Sequence, residues 1–190
     1  MNKQELRIKY KSIRNALPPK LRSQQSEDIC DKIKNMPQYT AANVIAGYYP
    51  IRSEVDVKNV LLDVLDRGKT LVLPICMPNG DIEFRKIITM ENLTQGTFGI
   101  MEPSDSSEAI SFQTIDFMLV PGLVFDLLGY RIGYGKGYYD KALIKVRSDC
   151  MTCGIAFSQQ LIQSIKIERY DVPVKKVIYN TLHEVNNEKK

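Results

Sequence analysis

The sequence predicts a three-layer α/β/α fold built on a mainly parallel, mixed sheet, with an antiparallel hairpin at one edge. Two observations carry this expectation. Apolar runs at 43–49 and 70–74 flank a helical stretch, and strand, helix and strand in roughly 30 residues form a βαβ unit, which requires a parallel pair and a right-handed crossover. Asn79-Gly80 then separates two strand-like runs. An Asn-Gly pair in that setting is a two-residue hairpin signal and adds an antiparallel strand.

From the amino terminus, Leu6, Tyr10, Ile13 and Leu17 fall at helical spacing, while Lys3, Arg7, Lys11 and Arg14 form a second, basic stripe. Residues 3–17 are therefore expected to be an amphipathic helix. Pro18-Pro19 ends it and can begin another, carrying Leu21, Ile29, Ile33 and Met36 and stopping before Pro37. After the run NVIAGYY at 43–49, Ser53 and Asp56 have the spacing of a helix start. Val57, Val60, Leu61, Val64 and Leu65 follow at helical periods, with Gly68 as the stop. Beyond the hairpin, apolar runs at 117–120, 154–157 and 177–179 alternate with helical stretches near 137–147 and 158–165. Repeats and low-complexity stretches are absent, so one domain over residues 1–190 is expected.

Composition narrows the class. Hydrophobic residues at 44% and charged residues at 25% are ordinary for a globular chain able to bury a core. The 26 Lys plus Arg against 22 Asp plus Glu give a charge of +4, a mild attraction for anions that does not imply nucleic acid. No apolar run approaches the roughly 20 residues that span a bilayer, so no membrane partner is expected. The four cysteines include the pair Cys150 and Cys153, which lacks the second C-x-x-C or histidine pair of a zinc site and leads into a strand rather than a helix. They read as structural thiols of a cytoplasmic, reduced protein. His183, the sole histidine, lies in a polar tail and centres no catalytic group.

In open α/β sheets, ligands bind beyond the carboxyl ends of the strands. The richest such place is Arg131-Ile-Gly-Tyr-Gly-Lys-Gly-Tyr-Tyr-Asp140. Gly133, Gly135 and Gly137 allow sharp turns and close backbone approach, and Arg131 and Lys136 bring positive charge. Tyr139, Ala142, Leu143 and Val146 continue at helical spacing, so the glycines lead into a helix N-terminus whose N–H groups and dipole favour phosphate. The spacing matches neither G-x-G-x-x-G nor the Lys-Ser/Thr ending of a P-loop. Asp140 stands where one of the one or two carboxylates of a Mg²⁺ site belongs, although an acid in a first helical turn is also favourable for the dipole alone. Asp171 is a possible second carboxylate or an ordinary turn residue, and Glu54 is either a helix-start acid or a ligand contact at a strand tip.

Several separated segments, in order, resemble the 5-formyltetrahydrofolate cyclo-ligase family. They are Lys3-Gln-Glu-Leu-Arg7, Tyr49-Pro-Ile-Arg-Ser-Glu54, Gly96-Thr-Phe-Gly-Ile-Met-Glu-Pro103, Val120-Pro-Gly-Leu-Val-Phe-Asp126, Arg131 to Asp140, and Gly154-Ile-Ala-Phe157 with Gln160 and Asp171. The resemblance implies ATP-dependent conversion of a reduced folate, 5-formyltetrahydrofolate, to 5,10-methenyltetrahydrofolate, with Mg²⁺ required. It also implies roles. Lys3, Arg7, Arg131, Ile132, Gly133, Tyr134, Gly135, Lys136, Gly137, Tyr138 and Tyr139 would contact ATP, with Lys136 and Arg131 in the catalytic role. Tyr49 and Glu54 would contact the folate, and Asp140 and Asp171 would serve Mg²⁺. Lys136 departs from the glycine common at its position, Lys166 from a proline and Asn180 from a threonine. A sugar-phosphate isomerase or CoA-transferase would need the same anion cradle without ATP, and a basic nucleic-acid-binding module would show salt-sensitive binding.

Overall fold

The computed structural model describes residues 1–96, 100–104 and 106–181. Three residues of the 96–103 motif, 97–99, and His183 lie outside that set.

Helix α1 (Lys3–Ala16) opens with a capping box, in which Asn2 Oδ1 accepts from the Glu5 N–H and the Glu5 carboxylate accepts from the Asn2 N–H. Two donors that no helical carbonyl can reach are thereby satisfied. Helix α2 (Pro19–Lys34) begins on proline, whose missing N–H is no loss in a first turn. A short α3 (Pro37–Ala41), for which the sequence gives no periodic signal, leads to strand β1 (Val44–Ala46).

Helix α4 (Lys58–Asp66) starts beyond the Ser53 signal. Ser53 caps nothing, because its hydroxyl is held by Arg14 Nε and donates to Asn15 Oδ1. Asp56 instead accepts from the Lys58 N–H through Oδ1. Gly68 ends α4 in the left-handed region, with φ 68°.

Strands β2 (Thr70–Cys76) and β3 (Ile82–Ile87) pair antiparallel about Asn79-Gly80, in the register Leu71↔Ile87 to Cys76↔Ile82. Strands β4 (Leu93–Gln95) and β5 (Met101–Pro103) form a separate antiparallel pair. Strand β6 (Ala109–Ile110) adds to the outer side of β3, so the hairpin is one strand in from that edge. Then come β7 (Phe117–Pro121), β8 (Val124–Asp126), β9 (Arg131–Ile132), helix α5 (Tyr138–Lys145), β10 (Met151–Ala156), β11 (Leu161–Ile162) and β12 (Lys176–Tyr179).

The helix expected at 158–165 does not form. Ser158–Gln160 is one 3-10 turn, and β11 pairs parallel with β8. Gln160 accounts for the difference: its Oε1 accepts from the Phe157 N–H, and its Nε2 donates to the carbonyls of Gly122 and Leu123, each at 3.0 Å. These tertiary bonds outweigh a weak local helical pattern.

The seven-stranded sheet has the order β12-β10-β7-β1-β2-β3-β6, with β2, β1, β7, β10 and β12 mutually parallel. Alternation divides its side chains between two cores. Ile45, Leu71, Leu73, Phe117, Leu119 and Ile155 face α2, α3 and α4, whereas Ala46, Val72, Met118 and Val120 face Ala142 and Leu143 of α5. Helices thus cover both faces. A third cluster joins Tyr10 of α1 to Leu123, Val124, Ile132 and Ile165 over the small sheet β11-β8-β9. From β1 the chain runs to β2 on one side and later to β7 on the other, so strand order reverses between β1 and β7. That reversal opens a crevice at the carboxyl ends of the strands.

Candidate active site

The loops after β1 and β7 border this crevice, and the β8–β9 hairpin brings the glycine-rich segment to it. The hairpin is braced by Asp126, whose Oδ1 accepts from the N–H groups of Leu128 and Tyr130 and whose Oδ2 accepts from Ile165. At its turn Gly129 has φ 91°, and a Cβ there would lie 2.1 Å from the Val174 carbonyl oxygen. Only glycine fits so close a backbone approach.

Arg131 leaves this hairpin with its side chain 3% exposed. It donates to the Val172 carbonyl at 2.7 Å and to Asp140 Oδ1 at 3.0 Å. Burial pulls the guanidinium below its ordinary pKa, while Asp140 foremost opposes that shift. Arg131 therefore ties the start of α5 to the segment at 171–172, and Asp140 Oδ1 also accepts from the Val172 N–H. Ile132 is buried in the third core cluster.

Between Arg131 and α5 the backbone loops outward. Gly135, with φ 100°, lies against the Arg7 guanidinium, and Gly137, with φ 68°, is the N-cap of α5. Beside Gly133 and Gly137 there is open space where a side chain would project. Lys136 is exposed between them. The amides of the first turn of α5 have no carbonyl within their own helix to reach. Tyr138 and Tyr139 pack partly buried on the α5-side core, and burial raises the Tyr139 hydroxyl above its ordinary value.

Helix α1 lies alongside. Arg7 Nε donates to the Gly133 carbonyl at 3.0 Å, and Lys3 Nζ donates to both oxygens of Asp171, at 2.8 and 2.7 Å. Burial disfavours the Lys3 charge, but Asp171 and Glu168 more than offset this and its pKa is raised. The cationic stripe of α1 is thus largely engaged with the glycine segment and its surroundings.

On the β1 side, Glu54 is 8% exposed. Its Oε2 accepts from the Ile51 N–H at 3.1 Å, and its Oε1 accepts from the Tyr134 hydroxyl at 3.1 Å. Arg14 donates to that same hydroxyl at 2.6 Å. Burial raises the Glu54 pKa, and Arg14 is the foremost influence in the other direction. Tyr49 is partly buried against the core beneath α2 and α4. The sequence-predicted residues of the glycine segment, Lys3, Arg7, Glu54, Asp140 and Asp171 thus gather in one region. Arg14, Ser53 and Gln160 were not among the predicted ligands, and Arg14 had a signal: it continues the spacing of Lys3, Arg7 and Lys11.

Among the described residues, no three His, Cys, Asp or Glu side chains form a ready metal cage. Mg²⁺ takes one or two carboxylates with phosphate oxygens and water completing its shell. Asp140 uses Oδ1 toward Arg131 and Val172, and its side chain is 30% exposed. Such a donor fits a Mg²⁺ shared with phosphates, not a caged ion.

Fold and site together define a doubly wound α/β enzyme with a glycine-rich segment at the strand-order switch. The family model described as the 5-formyltetrahydrofolate cyclo-ligase family matches residues 1–180, and the chain belongs to that family. It is 27% identical over 188 residues to the 5-formyltetrahydrofolate cyclo-ligase of Mus musculus, with 93% of each chain covered. It is 24% identical over 169 residues to that of Escherichia coli K12, covering 87% of this chain and 93% of the relative. The solution structure of Aquifex aeolicus 5,10-methenyltetrahydrofolate synthetase superposes with TM-score 0.84 at 32% identity, covering all of both chains. The Mycoplasma pneumoniae synthetase superposes with TM-score 0.77 at 25% identity, covering 94% of this chain and 98% of the other.

Proposed function

We propose that this protein converts 5-formyltetrahydrofolate to 5,10-methenyltetrahydrofolate, consuming ATP with Mg²⁺ and releasing ADP and phosphate. Family membership over residues 1–180 supports the reaction. The observation that carries the assignment of sides is the Tyr134–Glu54 hydrogen bond, which joins the glycine-rich cradle to the strand-tip loop. In this reading Lys3, Arg7 and Arg131 to Tyr139 serve ATP, while Tyr49 and Glu54 serve the folate.

The formyl oxygen attacks the γ-phosphorus and ADP leaves. The bridge nitrogen of the folate then attacks the activated formyl carbon and sheds its proton, and phosphate departs as the methenyl bond forms. Transfer of this kind depends on holding two reactants in line and neutralising charge. The exposed Lys136 and the amides leading into α5 meet the phosphates, and Arg131 holds Asp140 in place. Asp140, with Asp171 after exchange of its Lys3 partner, would hold Mg²⁺, which would supply positive charge to offset that of the phosphates. The free cysteines support a cytoplasmic setting. No helix among the described residues is long and apolar enough to cross a membrane.

Incubation with 5-formyltetrahydrofolate, ATP and Mg²⁺ is expected to yield methenyl absorbance and ADP in equal amounts. Folded protein that yields neither rejects the assignment. A unit charge about 4 Å from a phosphate oxygen contributes ~4 kcal/mol at intermediate screening. If half of that acts only in the transition state, Lys136→Ala turns over roughly 30-fold more slowly. An unchanged rate at saturating ATP would remove Lys136 from the mechanism. Asp140→Asn is expected to need more Mg²⁺ for half-maximal rate, and superimposable Mg²⁺ titrations would show that Asp140 is no ligand.

A further inference from the structure

We propose that Arg14 is a positioning residue that locks the Tyr134 hydroxyl and the Glu54 carboxylate into one hydrogen-bonded unit, keeping the nucleotide cradle and the folate loop in register. The proposal rests on the functional reading above and adds to it a residue that touches neither substrate.

Arg14 is 2% exposed, in the last turn of α1. Removing a guanidinium from water is costly, and a well-packed apolar side chain commonly serves stability as well or better. What the cation does here is reach three separate loops. Its Nε donates to Ser53 Oγ at 3.2 Å, one terminal nitrogen donates to the Gly122 carbonyl at 3.4 Å, and the other donates to Tyr134 at 2.6 Å. It also stands 3.9 Å from Glu54 Oε1. The planar fork of arginine suits such divergent bonds, and the single ammonium of lysine does not.

The direction of the bonds matters. A phenol has one proton to give. Because Arg14 donates to the Tyr134 oxygen, that proton is turned toward Glu54 Oε1. With Oε2 held by the Ile51 N–H, both carboxylate oxygens are fixed. The groups facing Glu54 are Arg14 from α1, Tyr134 from the glycine segment, Tyr48 beyond β1, Tyr139 from α5 and Arg52 from its own loop. Of these, Arg14 does most to oppose the burial that pushes the Glu54 carboxyl upward.

Loss of Arg14 removes a lowering influence, so the carboxyl rises further and protonates at higher pH. The test begins without substrate, by ¹³C-glutamate NMR titration of Glu54 in the wild type, Arg14→Met and Arg14→Lys, with Glu54→Gln identifying the resonance. The Arg14→Met midpoint is expected to rise by about one pH unit or more. Folate KM should then rise more as the pH is lowered toward the Glu54 midpoint than at pH 8, where the carboxylate stays charged. Arg14→Lys should bring the midpoint back toward wild type while folate KM stays raised, because the fork to Tyr134 and Gly122 is missing. A merely structural arginine would lower the melting temperature and leave the midpoint in place, and that result overturns the proposal. Should Arg14→Met fail to fold, Arg14→Lys and Tyr134→Phe decide. Tyr134→Phe is expected to raise the midpoint, and an unmoved midpoint there, with Arg14→Lys matching wild type in folate KM, overturns it equally. A wild type that makes no methenyl product would reject the functional reading, while the titration still decides the coupling.

Discussion

Arg131→Met is expected to lower kcat/KM for ATP by roughly two orders of magnitude, the scale of losing one preorganised electrostatic group. Arg131 is buried against Asp140 and the Val172 carbonyl, so methionine removes both of its bonds and leaves a carboxylate and a carbonyl short of a donor. Breaking a buried pair costs about 3–5 kcal/mol. With Asp140 still 30% exposed, the lower end applies, about 3 kcal/mol of folding stability. Urea denaturation and steady-state kinetics measure the two effects separately. A variant as stable as wild type, with ATP efficiency within a few-fold, would mean that Arg131 neither braces the cradle nor supports catalysis.

Gly129→Ala is expected to destabilise the fold by about 3–5 kcal/mol, combining a positive φ that alanine resists with a clash the hairpin cannot relieve. The new Cβ would lie 2.1 Å from the Val174 oxygen, and Gly129 also accepts from the Val174 N–H. At roughly 2–4 °C per kcal/mol for a chain of this size, the melting temperature should fall by about 10 °C. Activity should fall with it, since β9 carries Arg131 and feeds the glycine segment. Gly68→Ala is the control: it too has positive φ, but a Cβ there meets nothing within 4 Å. Equal losses at the two positions would show that the close approach to Val174 contributes nothing.

The parallel sheet is legible in the sequence because its strands are sandwiched. Runs such as 117–120, buried on both faces, must be continuously apolar. The Asn79-Gly80 turn is legible because its chemistry is local. Strands β8, β9 and β11 are two or three residues long, too short for any period to announce them, and β11 pairs with β8 from a distant part of the chain. Leu161, Ile162 and Ile165 imitate a helical face, and only the bonds from Gln160 to Gly122 and Leu123 reveal otherwise.

The glycine segment announces itself for a similar reason, since glycines, cations and a following helix stand side by side in ten residues. Arg14 does not. Its partners lie 39, 108 and 120 residues away, and a cation within a basic stripe is usually a solvated one. The double meaning of Ser53 has the same origin: its local spacing suits a cap, but a distant arginine takes the hydroxyl.

The ion pair between Lys3 and Asp171 spans 168 positions, which sets a timetable for the chain as it leaves the ribosome. Helix α1 precedes Gly133, Tyr134 and Asp171, groups it docks against, by 126, 120 and 168 positions in the respective bonds. Closing loops of that length carries an entropic cost that their contacts offset only once both ends are present. A nascent chain stalled before residue 171 therefore carries a basic helix whose Lys3 still lacks its carboxylate partner, and the docking of α1 is complete only once Asp171 has emerged.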